Sequence, residues 1–165
     1  MPRTDKMTKH RYQDIPVTKI PSIRTHGGQV TAKVIAGEAL GARAVIDTHT
    51  PIMYLHLTLQ AGAKLVQAVP RTYNAFAYVI EGNGLFGDNE RLAKRGQMVL
   101  FAKDGEKALI TATMDTMPAL NVLFIAGVPL NEPVARYGPF VMNTQQEILD
   151  AINDYRNDWM GSINF

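Results

Sequence analysis

Histidine gives this chain its widest choice of chemistry, because imidazole serves as an acid, a base or a metal ligand near neutral pH. The sequence has four histidines and no cysteine, which excludes disulfides, thiolate metal sites and Cys nucleophiles. The histidines are His10, His26, His49 and His56. His49 and His56 could meet in a folded chain, but nothing in the spacing requires it. We therefore expect solvated or hydrogen-bonded histidines rather than a native metal site.

Other catalytic patterns are equally sparse. No serine lies in the setting of a nucleophile elbow. The Gly82-Asn-Gly84 pattern falls in a hairpin, whereas a phosphate-binding loop needs a helix directly after it. The sequence therefore predicts no catalytic residue, and the protein is expected not to be an enzyme on its own.

The elements that must position these side chains are short strands. Apolar and β-branched runs, separated by Gly, Pro and Asp-Asn turns, occupy residues 30–126. In the clearest run, Ile52–Leu59, one Met and three Leu alternate with Tyr54, His56 and Thr58, so His56 is predicted to face outward. Further strands are predicted at 74–81, 97–101, 108–113 and 120–126. Many short strands at this spacing predict an all-β sandwich or small barrel.

Large apolar side chains on these strands are predicted to fill the core. They are Met53, Phe76, Tyr78, Met98, Phe101 and Phe124.

The C-terminal part of the chain changes character. Segment 127–142 contains three prolines and predicts an ordered extended arm. A capping-box pattern at 144–147 and apolar residues at helical spacing predict an amphipathic helix over 145–158. Tyr155 and Trp159 are expected to bury against the barrel or a partner.

Composition limits the classes of function. The chain has 165 residues and a net charge of +2, which predicts one domain and argues against a dedicated nucleic-acid binder. No signal peptide and no apolar run long enough to span a membrane is visible, so a soluble cytoplasmic protein is expected. Charged residues make up 19%, below the ~25% of typical soluble domains. This deficit indicates a large core or a surface that expects a partner.

Residues 127–144, followed by the predicted helix, resemble the C-terminal signature of the pirin family. The most specific part of this signature, assigned a structural role, is Gly138, Pro139, Phe140, Val141, Met142, Asn143 and Thr144. Segments 11–16 and 36–41 and the pair Thr50-Pro51 are also similar to pirin segments. The resemblance runs over residues 7–159, nearly the whole chain.

The resemblance implies a double-stranded β-helix, the cupin or jelly-roll barrel, with a C-terminal α-helix. Pirins are similar to other bicupins, which carry two such barrels in one chain. We expect residues 11–165 to form a C-terminal-type cupin that includes the arm and the helix. Residues 1–10 are expected to be a polar remnant of an interdomain linker, with the first cupin missing.

The resemblance also implies where a metal would lie. In pirins three His and one Glu of the first cupin hold an iron-type metal, and none of those motif positions is expected in this chain. Aligned with the general cupin motifs, the ligand positions of this barrel fall on Val69, Arg71, Ala75 and Ala108, or on Ala68 and Pro70 for the His pair. We therefore expect no metal and no cofactor.

Ligand candidates remain at the expected mouth of the barrel. Arg71, Tyr73 and Asn74 are placed there by the strand pattern and could hold a small anion. A small molecule inside the barrel stays open.

Two functions are open. The first is a metal-free binding or interaction module in transcriptional or metabolic regulation, forming a homodimer or binding another protein, without nucleic acid or membrane contact. The alternative is a quercetinase-type metal-dependent dioxygenase, which would need a separate first cupin or unusual ligands such as His49 and His56. The sequence identifies neither the partner nor the ligand, and it leaves open whether the chain is a natural gene product or a fragment of a two-cupin pirin.

Overall fold

The computed structural model describes residues 1–6, 8–9 and 11–161 of the chain. The predictions for His10, for the side chain of His26 and for residues 162–165 lie outside the described residues. Contacts within the chain divide it into two compact units. We call His10–Pro129 the barrel unit, and Met1–Lys9 together with Leu130–Phe165 the arm unit. The predicted boundary at residue 10 and the single domain 11–165 remain predictions.

The barrel unit consists of antiparallel strands in two main sheets. Its strands are β1 (Ser22–Thr25), β2 (Val30–Ala36), β3 (Glu38–Ala39), β4 (Ala42–Arg43), β5 (Ile52–Leu59), β6 (Lys64–Ala68), β7 (Asn74–Glu81), β8 (Asn83–Phe86), β9 (Arg91–Lys94), β10 (Met98–Leu100), β11 (Lys107–Ala112) and β12 (Leu120–Gly127). A six-stranded sheet has the order β1-β2-β5-β12-β7-β10, and a four-stranded sheet has the order β6-β11-β8-β9. The prediction of an all-β fold with a C-terminal helix is confirmed.

Alternating side chains build the core between the sheets. On β5, Met53, Leu55, Leu57 and Leu59 are buried, and the same alternation recurs on β2 and β12. This is the period of two that a half-buried strand requires. The alternation at Ile52–Leu59 is therefore as predicted.

Glycine is required where β2 passes close to β5. Gly37 has a φ of 78°, a left-handed conformation that other residues adopt at a cost. A Cβ at this position would lie 2.0 Å from the carbonyl oxygen of Ile52. A glycine here therefore allows the chain to leave β2 and form the β3–β4 hairpin beside β5.

The prediction of core residues is half wrong. Met53 and Phe124 are buried, and Phe101 packs edge to face on Phe124 with ring centroids 5.8 Å apart. Phe76, Tyr78 and Met98 instead lie on the outer face of the six-stranded sheet. Both alternating sets of side chains on β7 are apolar, so alternation alone does not decide which set faces inward. Phe124 on β12 and Phe101, the residue after β10, fill the interior. The small alternate residues of β7, Ala75, Ala77 and Val79, therefore point inward.

The arm unit contains a two-stranded ribbon and one helix. The ribbon pairs β13 (Ala135–Tyr137) with β14 (Phe140–Met142), and α1 spans Gln145–Arg156. Thr144 caps the helix through the predicted capping box, since its side chain accepts a hydrogen bond from the Glu147 amide and the Glu147 carboxylate accepts in return. Tyr155 and Trp159, expected to bury against the barrel or a partner, are exposed in the single chain, and burial against a partner remains a prediction.

A buried asparagine links the two ends of the arm unit. The Asn143 side chain donates to Glu132 Oε2 and to the Pro133 carbonyl, both at 2.9 Å, and accepts a hydrogen bond from Lys6 Nζ. Glu132 also accepts from the backbone N–H of Arg3. This network gives Asn143 of the signature a structural task, the anchoring of the N-terminal residues on the arm.

Candidate functional site

The four residues that the sequence alignment assigned to cupin ligand positions lie around one cleft of the barrel unit. Val69, Arg71, Ala75 and Ala108 all line it, at the end of the barrel where β6 ends and β7 and β11 begin. We call this end the barrel mouth. The cleft encloses about 20 Å³, which leaves room for roughly one water molecule. Val and Ala offer no metal-binding atom and Arg is a cation, so these residues do not fit a cupin metal.

The three ligand candidates of the sequence are only partly brought together. Arg71 and Tyr73 line the same cleft, whereas Asn74 is exposed and lines neither this cleft nor the larger cavity beside it. Arg71 Nε pairs with Glu106 Oε1 at 3.0 Å, with both side chains largely exposed. This carboxylate already neutralises the cation, which weakens the case for an anion site. The ligand role of the three residues remains a prediction.

A larger cavity lies beside the cleft, between the β3–β4 hairpin and the loop before β5. It has a volume of about 460 Å³ and is lined by Glu38, Asp47, His49 and Tyr73 among others. Segment 11–13 fixes this loop, because Arg11 pairs with the Asp47 carboxylate at 3.0 Å and the Gln13 side chain bonds both backbone groups of Asp47.

The two histidines whose side chains the structure describes, His49 and His56, lie apart. His49 lines the larger cavity, whereas His56 lies on the outward face of β5, between Lys33 of β2 and Leu123 of β12. In the part of the chain that the structure describes, no three His, Cys, Asp or Glu side chains are placed to hold a metal ion.

Burial lowers the pKa of His56 below the usual histidine value, and the positive charge of Lys33 lowers it further. A side-chain hydrogen bond with Asn121 acts in the opposite direction. The imidazole is therefore biased toward its neutral form on this face.

Sequence reasoning missed a buried polar side chain of the barrel unit, Gln67, close to the mouth. Gln67 is 3% exposed and lines a cavity of about 590 Å³ together with Met53 and Val69. Its Nε2 donates to the Ala68 carbonyl at 2.8 Å, but its Oε1 is buried without a partner among the described residues. The alternation of side chains along β6 could have predicted this burial, because Gln67 is two residues after the buried Leu65 and so lies on the same side of the strand.

The outward face of the six-stranded sheet carries a row of apolar side chains on four neighbouring strands. Register places Leu123 beside Tyr78 and His56, and Ile125 beside Phe76 and Tyr54. Toward the edge of the sheet, Met98 is 58% and Leu100 72% exposed. We call this surface the apolar sheet face; its members are Tyr54, Phe76, Tyr78, Met98, Leu100, Leu123 and Ile125.

Monomeric soluble proteins rarely expose a contiguous apolar patch larger than a few hundred Å², and larger patches mark interaction sites.

The two sheets, closed over one core, form a β-sandwich of the cupin type. The family model described as the pirin C-terminal cupin domain matches residues 54–161. The chain therefore belongs to the pirin family.

Individual relatives agree with this assignment. A pirin-like protein of Solanum lycopersicum is 41% identical over 92% of this chain and 51% of its own length, and human pirin is 37% identical over 93% and 52%. A crystal structure of quercetin 2,3-dioxygenase from Acinetobacter baumannii matches 99% of this chain and 55% of its own, with a TM-score of 0.88 and 32% identity. The chain thus spans about half the length of the relatives that it matches.

Within the described residues, no helix is both long and apolar enough to cross a membrane.

Proposed function

We propose that this chain is a metal-free pirin-type binding module, which acts in transcriptional or metabolic regulation by holding a partner on the apolar sheet face. The observation that carries the proposal is this face itself, four strands wide and lined by aromatic and aliphatic side chains. The four residues assigned to the cupin positions carry no side chain that binds a metal ion, and this supports a binding function over metal-dependent catalysis.

A second copy of the chain is the proposed partner. Four strands about 4.8 Å apart, with at most eight residues about 3.4 Å apart, give the apolar sheet face at most roughly 500 Å² in projection. A standard interface buries ~800 Å² on each partner, so a dimer on this face also needs side-chain relief and the neighbouring outward residues of β2. A two-fold dimer can bury the same patch on both copies.

Light scattering of the purified chain at tens of micromolar tests this proposal. We expect a dimer for the unaltered protein and a monomer for Leu100→Asp, because a carboxylate buried without a partner opposes association. The matched control is Met114→Asp, which places the same charge at an exposed loop methionine and should leave the dimer intact. A monomer in the unaltered protein, or equal dissociation by both substitutions, would contradict the proposal.

A quercetinase-type dioxygenase is the second candidate, favoured by the likeness to a structure that bears that name. The residues assigned to the cupin positions do not fit a metal, so the activity would need a separate first cupin or unusual ligands such as His49 and His56, which line the larger cavity and the outward face of β5 respectively. Metal analysis of protein purified without a tag, together with flavonol turnover, separates the two candidates. Stoichiometric Fe, Ni or Cu with turnover would favour the enzyme.

A further inference from the structure

The four-stranded sheet of the barrel unit presents a second outward face of different chemistry. We call it the basic sheet face. Its charged positions are Lys64 on β6, Lys94 on β9 and Lys107 on β11, and no outward position of these strands carries a carboxylate. Among the described residues, none of these lysines takes part in an ion pair. The face therefore carries three uncompensated positive charges.

An aliphatic strip crosses this face between the lysines. Val66 lies directly opposite Leu109, and Leu85 directly opposite Leu92. Leu109 and Leu85 are diagonal neighbours, since Thr111 pairs with Leu85. Val66 and Leu92 at the two ends of the strip are 50% and 53% exposed. The strip is therefore continuous over four strands and open to solvent.

Protection of sheet edges explains only part of this pattern. Lys64 and Lys94 lie on the edge strands β6 and β9, where lysines commonly prevent pairing with another chain. Lys107 lies on the interior strand β11, and edge protection does not call for leucines in the centre of the face.

We propose that the basic sheet face binds an acidic amphipathic helix of a protein partner. Leucine-type side chains of the helix lie on the strip, and glutamates or aspartates on its flanks meet Lys64, Lys94 and Lys107. The strip crosses three strand spacings of about 4.8 Å, roughly 14 Å, and a helix covers that length with about ten residues. This surface is separate from the apolar sheet face, so the proposal goes beyond self-association.

Nucleic acid and membranes fit this face less well. Three lysines neutralise few phosphates, and the strip has no aromatic side chain on which a base could stack. Binding to an anionic membrane would be stabilised by only about 1 kcal/mol for each lysine. Leu85 and Leu109 are only partly exposed, so they have little side chain to insert into a bilayer. The combination of aliphatic side chains and spaced positive charges favours an acidic helix.

A direct binding measurement tests the proposal. The probe is a synthetic fluorescent helix of about eighteen residues, with Leu along one stripe and Glu on both flanks, titrated by fluorescence anisotropy at low salt. Its comparison peptide keeps the glutamates and replaces every Leu by Gln. We expect saturable binding of the first peptide, weakened by added NaCl, and much weaker binding of the second.

Substitutions of the protein locate the binding surface. Lys64→Gln, Lys94→Gln and Lys107→Gln together should weaken binding about tenfold, as three exposed ion pairs predict. The control changes the net charge equally by Lys19→Gln, Arg24→Gln and Lys33→Gln, which lie just before β1 and on β1 and β2 of the six-stranded sheet, and it should leave the affinity within about twofold.

Several results would overturn the proposal. They are the absence of saturable binding up to about millimolar protein, an equal loss in the control triple variant, and equal affinity for the Gln peptide. Tighter binding to vesicles rich in anionic lipid or to duplex DNA, lost in the first triple variant, would assign the face to those partners instead. If light scattering shows a monomer, the peptide-binding measurement still tests this proposal independently, because the apolar and basic sheet faces lie on different sheets.

Discussion

Replacing the buried glutamine of the barrel mouth should stabilise the protein. Gln67→Met keeps the length and nearly the volume of the side chain and removes its polar atoms, and volume-conserving changes of this kind are well tolerated. The substitution removes Oε1, which is buried and unpaired. It also removes the hydrogen bond from Nε2 to the Ala68 carbonyl.

The two losses have opposite signs. An unsatisfied buried acceptor costs about 1–3 kcal/mol, while a hydrogen bond contributes about 0.5–1.5 kcal/mol. Ala68 is exposed, so water can replace the lost donor at its carbonyl. We expect the free energy of unfolding to rise by about 1 kcal/mol, which corresponds to roughly 2–4 °C in Tm for a chain of this size.

Urea denaturation of both proteins under identical conditions measures this change. The midpoint should rise with an unchanged m-value, which identifies a change in stability rather than in the unfolded state. Gln67→Ala is the control, because it removes the same oxygen but leaves a cavity and should lower the free energy by about 2 kcal/mol. An unchanged or lower midpoint for Gln67→Met would refute the reasoning and indicate that Oε1 has a partner in solution.

Three further predictions concern the backbone, a titrating histidine and the helix cap. Gly37→Ala should lower the free energy of unfolding by more than about 2 kcal/mol, because the new Cβ meets a carbonyl oxygen in a left-handed conformation; denaturant melting measures it. The pKa of His56 is lower in the folded than in the unfolded state, so the unfolded state takes up a proton first as the pH falls. The contribution of His56 to the free energy of unfolding is therefore complete above the unfolded-state pKa of about 6.5, and it is lost as the pH falls from there through the folded-state pKa. NMR titration should place the His56 midpoint below the unfolded-state value, and Lys33→Met should raise the midpoint. Thr144→Ala should weaken α1 by about 1 kcal/mol, seen as faster amide exchange in its first turn.

Each of these has a control in the same chain. Gly41→Ala has a similar φ of 77° but no atom within 4 Å of the new Cβ, so it should cost clearly less than the Gly37 change. His56→Gln should remove the slope of stability against pH, and a slope that persists would point to another group. Exchange rates in β5 should stay unchanged in Thr144→Ala, because the cap acts on α1 alone.

Local patterns were sufficient for much of the fold. The alternation at Ile52–Leu59 gave the bounds and the buried side of β5, and the capping-box pattern gave the start of α1. Strands 74–81 and 120–126 were predicted to within a residue. The helix ends at Arg156, two residues earlier than predicted. These features depend on neighbours in sequence, so the sequence determines them.

Strand pairing decided which apolar side chains form the core. On β7 both faces are apolar, and the sequence alone favoured the larger residues Phe76 and Tyr78 for the interior. Pairing with β12 turned Ala77 and Val79 inward instead, because Phe124 already fills the space between the sheets.

The sequence by itself determined the side-chain chemistry of the residues aligned with the cupin ligand positions, since residue identity alone settles what a side chain can donate. Tertiary structure decided the rest of the candidate site. It brought Val69, Arg71, Ala75 and Ala108 around one cleft, left Gln67 Oε1 unpaired beside it, and separated His49 from the face that holds His56. It also created the apolar and basic sheet faces. Their residues come from strands far apart in the chain, and only hydrogen bonding between those strands makes them neighbours.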